Sequence, residues 1–114
     1  MNRISTHILD ISLGKPASAV EVVLHRKEQD GSRRLIGSRV TDADGRCSNL
    51  HPFDVPLISG EYFIRFETQP YHQSVGVQSI YPFIEIAFRI SESDLHLHIP
   101  LLLSPNGYTT YRGT

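Results

Sequence analysis

The chain has 114 residues, a length typical of one domain, and we expect residues 1–114 to form a single domain. Its 11 Lys and Arg residues are interspersed with 12 Asp and Glu residues, for a formal charge of −1, which excludes the basic stripe of a nucleic-acid-binding protein. No stretch approaches the roughly 18 apolar residues of a membrane helix, and residues 1–4 do not resemble the start of a signal peptide. We therefore expect a soluble, cytoplasmic protein without a membrane partner.

The chain opens on an alternating segment that places a histidine on a polar face. Because side chains at i and i+2 of a strand share a face, one face carries Ile4, Thr6 and Ile8. The opposite face carries Ser5, His7 and Leu9. Taken alone, His7 is more often a packed or surface histidine than a reactive one.

Three further segments alternate with period two and are rich in β-branched and aromatic residues, which is typical of half-buried strands. Their inward and outward faces are, in order, Val20, Val22 and Leu24 against Glu21, Val23 and His25; Tyr62, Ile64 and Phe66 against Phe63, Arg65 and Glu67; and Ile84, Ile86, Phe88 and Ile90 against Glu85, Ala87 and Arg89. Residues 69–80 alternate less and favour a short helix. We interpret Arg33 and Arg34, which follow Gly31 and Ser32, as a solvated turn. Seven or eight strands at this spacing predict an antiparallel sandwich.

The segment TDADGR at residues 41–46 predicts a tight turn that ends on an arginine. Its two aspartates suggest a calcium loop, but the twelfth position counted from Asp42 is Phe53 rather than a carboxylate. A turn with Gly45 at positive φ explains the glycine better. The guanidinium of Arg46 then follows a fixed turn and could grip a planar, carbonyl-rich ligand through two hydrogen bonds. Cys47 comes next, and we interpret it as a half-buried, unreactive thiol.

Two histidines share a face near the end of the chain. His96 and His98 are separated by one residue, so a strand would project both to one side and turn Leu95, Leu97 and Ile99 toward the core. Two solvated histidines would explain this pattern. Two metal ligands would also explain it, with His7 as a third. A neighbouring arginine would repel a divalent cation from such a site.

The closing residues YRGT at 111–114 follow directly on the strand-like run at 96–105. An aromatic ring, a cation, a glycine and a hydroxyl in this place indicate a segment that folds back onto a site.

Three segments, in this order, resemble signatures of the 5-hydroxyisourate hydrolases, the transthyretin-related enzymes of purine breakdown. STHILD at 5–10 and GKPA at 14–17 are similar to the family's Ser-Thr-His-Val-Leu-Asp and Gly-x-Pro-Ala. TDADGR is similar to Thr-Asn-x-Asp-Gly-Arg, with Asp42 in place of Asn. HLHIPLLLSP at 96–105 and YTTYRGT at 108–114 are similar to the closing signature, with Thr114 in place of the final Ser.

The resemblance implies a two-sheet antiparallel β-sandwich of the transthyretin type with one short helix. It implies hydrolysis of 5-hydroxyisourate to 2-oxo-4-hydroxy-4-carboxy-5-ureidoimidazoline, with His7, Arg46 and His98 as catalytic residues. Substrate binding falls to His7, Arg46, Tyr111 and Thr114, and His96 supports the other histidines. Which histidine is the base stays open. We expect no metal and no cofactor, and a homotetramer with sites at the dimer–dimer interface.

Two other functions compete with this one. A transthyretin-like module that binds a small molecule without turnover would share the fold, because fold does not fix function. A structural or adhesion-type sandwich would make the motifs accidental. The polar set His7, Arg46 and His98 together with the closing YRGT favours the hydrolase over the carrier, and three motif matches in the correct order favour it over the structural sandwich.

Overall fold

The computed structural model describes residues 4–92 and 96–114. Leu95, which we expected to face the core, and residues 1–3 lie outside these ranges. Within them the elements are β1 Ile4–Asp10, β2 Lys15–Pro16, β3 Glu21–Lys27, β4 Arg33–Val40, β5 Arg46–Cys47, β6 Gly60–Phe66, α1 Thr68–Ser74, β7 Ile84–Ile90, β8 Leu97–Ser104 and β9 Gly107–Thr110. No helix in these ranges has the length and apolar character needed to cross a bilayer.

The strands form two sheets. Sheet 1 has the order β2-β1-β8-β9, with β5 also paired to β1, and sheet 2 has the order β4-β3-β6-β7. The predicted two-sheet sandwich with one short helix is confirmed. One pairing departs from the antiparallel pattern, because β1 runs parallel to β8. These two strands are joined by most of the chain rather than by a hairpin turn, so no local connection forces them to run antiparallel.

The predicted inward faces of the first strands build the core between the sheets. The fully buried aliphatic and aromatic side chains there include Ile4, Ile8, Val22, Leu24, Tyr62, Ile64, Phe66, Leu101 and Leu103. The outward residues of β1 and β6 are partly exposed, as the alternation predicts. The core therefore fixes the register of β1 and leaves the face with Ser5, His7 and Leu9 outside the core. A one-residue slip would move every side chain of the strand to the opposite face.

Strand β7 has the predicted apolar face, but one other prediction about sheet 2 needs correction. Ile86 and Phe88 pack against the core and are only half-buried, because β7 is an edge strand and their side chains line an open groove between the two sheets. Arg33 and Arg34 do not lie in a turn but open β4. Arg33 forms an ion pair with Glu85 at 2.7 Å and lies 3.7 Å above the ring of Phe63, so contacts with β6 and β7 hold it in the sheet.

Helix α1 is tied to the end of β1 by a buried carboxylate. Asp10 accepts hydrogen bonds from the Tyr71 hydroxyl at 2.7 Å and from the backbone and side chain of Ser12 at 3.0 and 2.7 Å, and the Leu13 amide adds a fourth. Burial by itself raises the pKa of Asp10, but the hydrogen bonds from Ser12, Tyr71 and Leu13 together bring it below its usual value. A charged Asp10 thus holds the helix and the β1–β2 turn to one strand.

Candidate active site

His7 and Arg46 lie side by side on sheet 1. β5 pairs antiparallel with β1, and the Cα partner of His7 is Arg46. The buried side of β1 is its core face, so His7 projects from the outer face, where it is half-exposed. The structure therefore brings together two of the three predicted catalytic residues, through a strand of only two residues.

The turn before β5 explains how Arg46 is held next to His7 on sheet 1. Gly45 has φ +75°, and a Cβ there would lie 2.5 Å from the carbonyl oxygen of Ile8. The Asp42 carboxylate accepts hydrogen bonds from the amides of Asp44 at 2.9 Å and Arg46 at 3.0 Å. Asp42 thus supplies, through one carboxylate oxygen, the acceptor that the turn needs at the position where the family signature has an asparagine.

His98 joins this pair from β8. In the parallel register the Cα partner of His98 is Ser5, two residues before His7 on the same face. Burial, followed by the charges of His7 and Arg46, lowers the pKa of the His98 imidazole below its usual value. His98 is therefore neutral at neutral pH and able to accept a proton.

The closing segment covers His98 from the other side. The Gly113 amide donates a hydrogen bond to the His98 carbonyl oxygen at 2.8 Å, in an isolated antiparallel bridge. A Cβ on Gly113 would lie 2.7 Å from Cδ2 of the His98 ring. Residues 111–114 fold back onto the strand as the sequence indicates, and the exposed Thr114 comes one residue after this contact.

Tyr111 is not gathered with the other predicted site residues in the single chain. Its side chain is 53% exposed and lines a groove of about 220 Å³ with Leu97 and Ile99. Those two residues project from the core face of β8, whereas His98 projects from the outer face. The phenol of Tyr111 therefore opens toward the gap between the sheets, and its contact with a ligand stays a prediction.

His96, the third histidine considered at the sequence level, lies outside the strand that carries His98. His96 is exposed just before β8. In residues 4–92 and 96–114, no three His, Cys, Asp or Glu side chains come together as a metal site would require.

Cys47 is buried rather than half-buried, because its side chain enters the core from β5. Burial, followed by the charge of Asp42, raises the pKa of its thiol to about 11, so it is an unreactive thiol, as predicted.

Sequence reasoning missed the part that Ser5 plays in the site, and it did not single out Gly113 within the closing segment. Ser5 forms a hydrogen bond of 2.8 Å between its Oγ and Nδ1 of His98, and Gly113 packs on the same ring. Ser5 shares the outer face of β1 with His7, and this period-two spacing was a usable signal. The pairing with His98 had no signal, because it depends on a register between residues 93 positions apart.

The outer face of sheet 1 thus carries two imidazoles and a guanidinium within one small polar area. A neutral imidazole can take a proton from water, and a guanidinium can donate two hydrogen bonds to carbonyl oxygens and stabilise negative charge. This set of groups suits hydrolysis of a planar, carbonyl-rich compound.

Curated proteins and solved structures similar to this chain agree with that interpretation. The 5-hydroxyisourate hydrolase of Salmonella typhimurium is 43% identical over 113 residues, which cover 99% of this chain and 82% of that protein. A probable 5-hydroxyisourate hydrolase of Schizosaccharomyces pombe is 42% identical over 97% of this chain and 90% of its own length. The solved structure of Klebsiella pneumoniae 5-hydroxyisourate hydrolase is 37% identical over 97% of this chain and 98% of its own, with a TM-score of 0.81.

Transthyretin shares the fold at a similar level. The crystal structure of transthyretin from Sparus aurata is 32% identical, covers 99% of this chain and 97% of its own, and has a TM-score of 0.92. The model of the HIUase/Transthyretin family matches residues 4–113. This match extends over nearly the whole sequence and includes the three site segments except the last residue, Thr114, and the chain belongs to the HIUase/Transthyretin family.

Proposed function

We propose that this chain hydrolyses 5-hydroxyisourate to 2-oxo-4-hydroxy-4-carboxy-5-ureidoimidazoline. The observation that carries the proposal is the convergence of His7, Arg46 and His98 on the outer face of sheet 1. Hydrolases of this name among the similar proteins, from bacteria to yeast, support it.

The product's carboxyl and ureido groups define the chemistry that the site must perform. Water adds to a ring carbonyl carbon while an imidazole takes its proton, and negative charge develops on the carbonyl oxygen. The C–N bond of the ring then breaks, and the imidazolium returns the proton to the leaving nitrogen. Atoms and charge balance, with one water consumed for each ring opened.

Each predicted residue has a role in this reaction. Arg46 binds the carbonyl oxygens of the planar substrate and stabilises the developing negative charge, an effect of about 2–4 kcal/mol for one well-placed donor. His98 and His7 position water and transfer its proton. Thr114 binds substrate through its hydroxyl, beside the contact of Gly113 with His98. Tyr111 binds substrate only in the assembled protein, because within one chain its ring faces the gap between the sheets, and His96 has a supporting role.

We also propose that four copies assemble, with sites at the interface between dimers, and that the protein acts in the cytoplasm. The site supports such an assembly because it lies open on the outer face of sheet 1, where a second copy can complete it. Leu9 and Leu102 on the same face are partly exposed. Analytical ultracentrifugation tests the assembly, and a monomer at micromolar concentration that still turns over substrate would contradict it.

A carrier without turnover is the second candidate. The high TM-score to Sparus aurata transthyretin favours it. The polar character of the site argues against it, because a carrier needs neither a neutral imidazole beside a guanidinium nor a folded closing segment on that imidazole. The two functions differ in stoichiometry, since a carrier depletes at most one equivalent of compound per site.

The test is the decay of freshly generated 5-hydroxyisourate, followed by absorbance, with and without protein. We expect many turnovers per site, a large loss of rate for His98→Asn and Arg46→Ala, and a wild-type rate for Ser104→Ala, whose hydroxyl donates a hydrogen bond to the carbonyl oxygen of Gly107 in the adjacent turn. A chelator should leave the rate unchanged. Depletion that stops at one equivalent, or two site variants with the wild-type rate, would overturn the proposal.

A further inference from the structure

We propose that Ser5 is a positioning residue that orients the His98 ring, so that Nε2 of His98 is the atom that takes the proton from water. This inference rests on the proposed function and deepens it, because it assigns the base to one of two neighbouring histidines. It follows from contacts on both sides of the His98 ring.

The first contact engages Nδ1. Ser5 Oγ lies 2.8 Å from Nδ1 of His98, and the two residues are direct partners between β1 and β8. The next pair along the same strands reinforces the register, since the buried Thr6 hydroxyl donates a hydrogen bond of 2.6 Å to the Ile99 carbonyl oxygen. Ser5 therefore meets His98 from a rigid strand rather than from a loop, which gives precise orientation.

The second contact blocks the opposite edge of the ring. Gly113 lies so close to Cδ2 of His98 that a Cβ there would stand 2.7 Å away. Nδ1 and Cδ2 are the two ring atoms bonded to Cγ, so contacts at both restrict rotation about the Cβ–Cγ bond. A flipped ring would lose the Ser5 hydrogen bond and place Nδ1 against Gly113. The ring therefore presents its Nε2 edge away from both contacts.

The free nitrogen of the ring decides which nitrogen carries the hydrogen. Ser5 engages Nδ1, and a hydroxyl can either donate to or accept from a ring nitrogen. General-base catalysis needs the lone pair on the nitrogen that Ser5 leaves free, which is Nε2, so the neutral ring carries its hydrogen on Nδ1. Nδ1–H then donates to Ser5 Oγ, and Nε2 keeps its lone pair for the proton of water.

A serine is suited to this position because its hydroxyl is neutral. A carboxylate at Nδ1 would raise the pKa of the imidazole through its charge, whereas a hydroxyl orients the ring without that effect. After Nε2 accepts a proton, Nδ1–H still donates to Ser5, so the hydrogen bond persists until the imidazolium returns the proton to the leaving nitrogen. His7 has no comparable support, because no hydrogen bond in the described ranges fixes its ring.

The kinetic test compares Ser5→Ala, Ser5→Thr and the control Ser104→Ala, which removes a hydroxyl on the same face of β8. A misplaced base costs catalysis more than binding, so Ser5→Ala should lower kcat by about 10- to 100-fold with little change in KM. Ser5→Thr restores the hydroxyl on a β-branched side chain suited to a strand and should recover most of kcat. A wild-type kcat for Ser5→Ala would overturn the inference.

A second measurement needs no substrate. The ring ¹⁵N shifts of His98, assigned with His98→Asn, should show one neutral tautomer with the hydrogen on Nδ1, and Ser5→Ala should show a mixture. An Nε2–H tautomer in the wild type would overturn the inference. A fixed Nδ1–H tautomer in a protein that does not hydrolyse 5-hydroxyisourate would uphold the ring orientation and overturn only the proposed function.

Discussion

Arg46 is the direct cross-strand partner of His7, although β5, which carries it, is only two residues long. Directly opposed side chains on one face of a sheet lie within contact distance. The guanidinium therefore owes its position to the turn at Asp42–Gly45 rather than to a long strand, and it needs no flexible loop to reach the site.

Replacing Arg46 with lysine separates charge from geometry. Lysine keeps the positive charge but loses the planar fork that binds two carbonyl oxygens, so kcat/KM should fall by about 10- to 100-fold. The decay of 5-hydroxyisourate measures the effect. Arg34→Lys, which changes an exposed residue of β4 on the other sheet, is the matched control. Equal rates for Arg46→Lys and the control would show that charge alone suffices.

Acid should inactivate the enzyme only below the usual histidine range. Burial, then His7 and Arg46, lowers the pKa of His98, so its basic form persists to lower pH than in a free imidazole. The profile of kcat/KM against pH should lose activity with a midpoint below about 6.5. In Arg46→Ala the residual activity should show a higher midpoint, because one repelling cation is gone. An unchanged or lower midpoint would contradict the assigned cause.

A methyl group on Gly113 should disturb catalysis without unfolding the protein. Alanine's Cβ would push against Cδ2 of His98, so kcat should fall by about 10-fold or more. Gly107→Ala is the control, because the nearest atom that its Cβ would meet within residues 4–92 and 96–114 is the Ser104 hydroxyl oxygen at 3.8 Å. Neither glycine has a positive φ, so backbone strain does not confuse the comparison. Similar kcat values for both variants would contradict the proposal that Gly113 restricts the His98 ring.

The link between helix α1 and β1 should contribute measurably to stability. Tyr71→Phe removes a hydrogen bond to the buried Asp10 carboxylate, which should lower the free energy of unfolding by about 1.5–3 kcal/mol in urea titrations. Tyr108→Phe, at a partly exposed ring, should change it little. Because the pKa of Asp10 is lowered, this contribution is present above the carboxyl's unfolded pKa and disappears as pH falls through the folded one.

A buried histidine on α1 should make the fold sensitive to mild acid. His72 is buried, and both ring nitrogens lack a hydrogen-bond partner among the described residues. Burial lowers its pKa, against a smaller opposing effect of Asp10. The unfolded chain therefore binds this proton more readily, and stability should decline as pH falls below the unfolded value of about 6.5. His72→Leu should flatten that decline in thermal unfolding, whereas His96→Gln, at an exposed site, should leave it intact.

Local patterns in the sequence were enough for much of the fold. Alternation assigned the faces of β1, β3 and β6 because each strand has a core on one side and water on the other. The weakly alternating stretch at 69–80 contained most of α1, and the glycine of the TDADGR turn has the predicted positive φ. These features depend on neighbours within a few residues.

Features set by distant contacts could not be predicted in this way. Nothing local marks Arg33 as a strand residue, since its partners Phe63 and Glu85 lie on other strands. The half-burial of Ile86 and Phe88 depends on β7 being an edge strand. The resemblance to known hydrolases supplied the predicted catalytic residues. The hydrogen bond of the Ser5 hydroxyl to His98 could be found only from the register between β1 and β8.

The parallel pairing of β1 with β8 makes formation of the active site depend on completion of folding. Contacts between residues 93 positions apart require closure of nearly the whole chain and tend to form late in folding. A folding intermediate in which sheet 2 is assembled but the two chain ends have not met would lack an oriented base. During refolding, catalytic activity should therefore return when the native state forms, and not when the hydrophobic core first collapses.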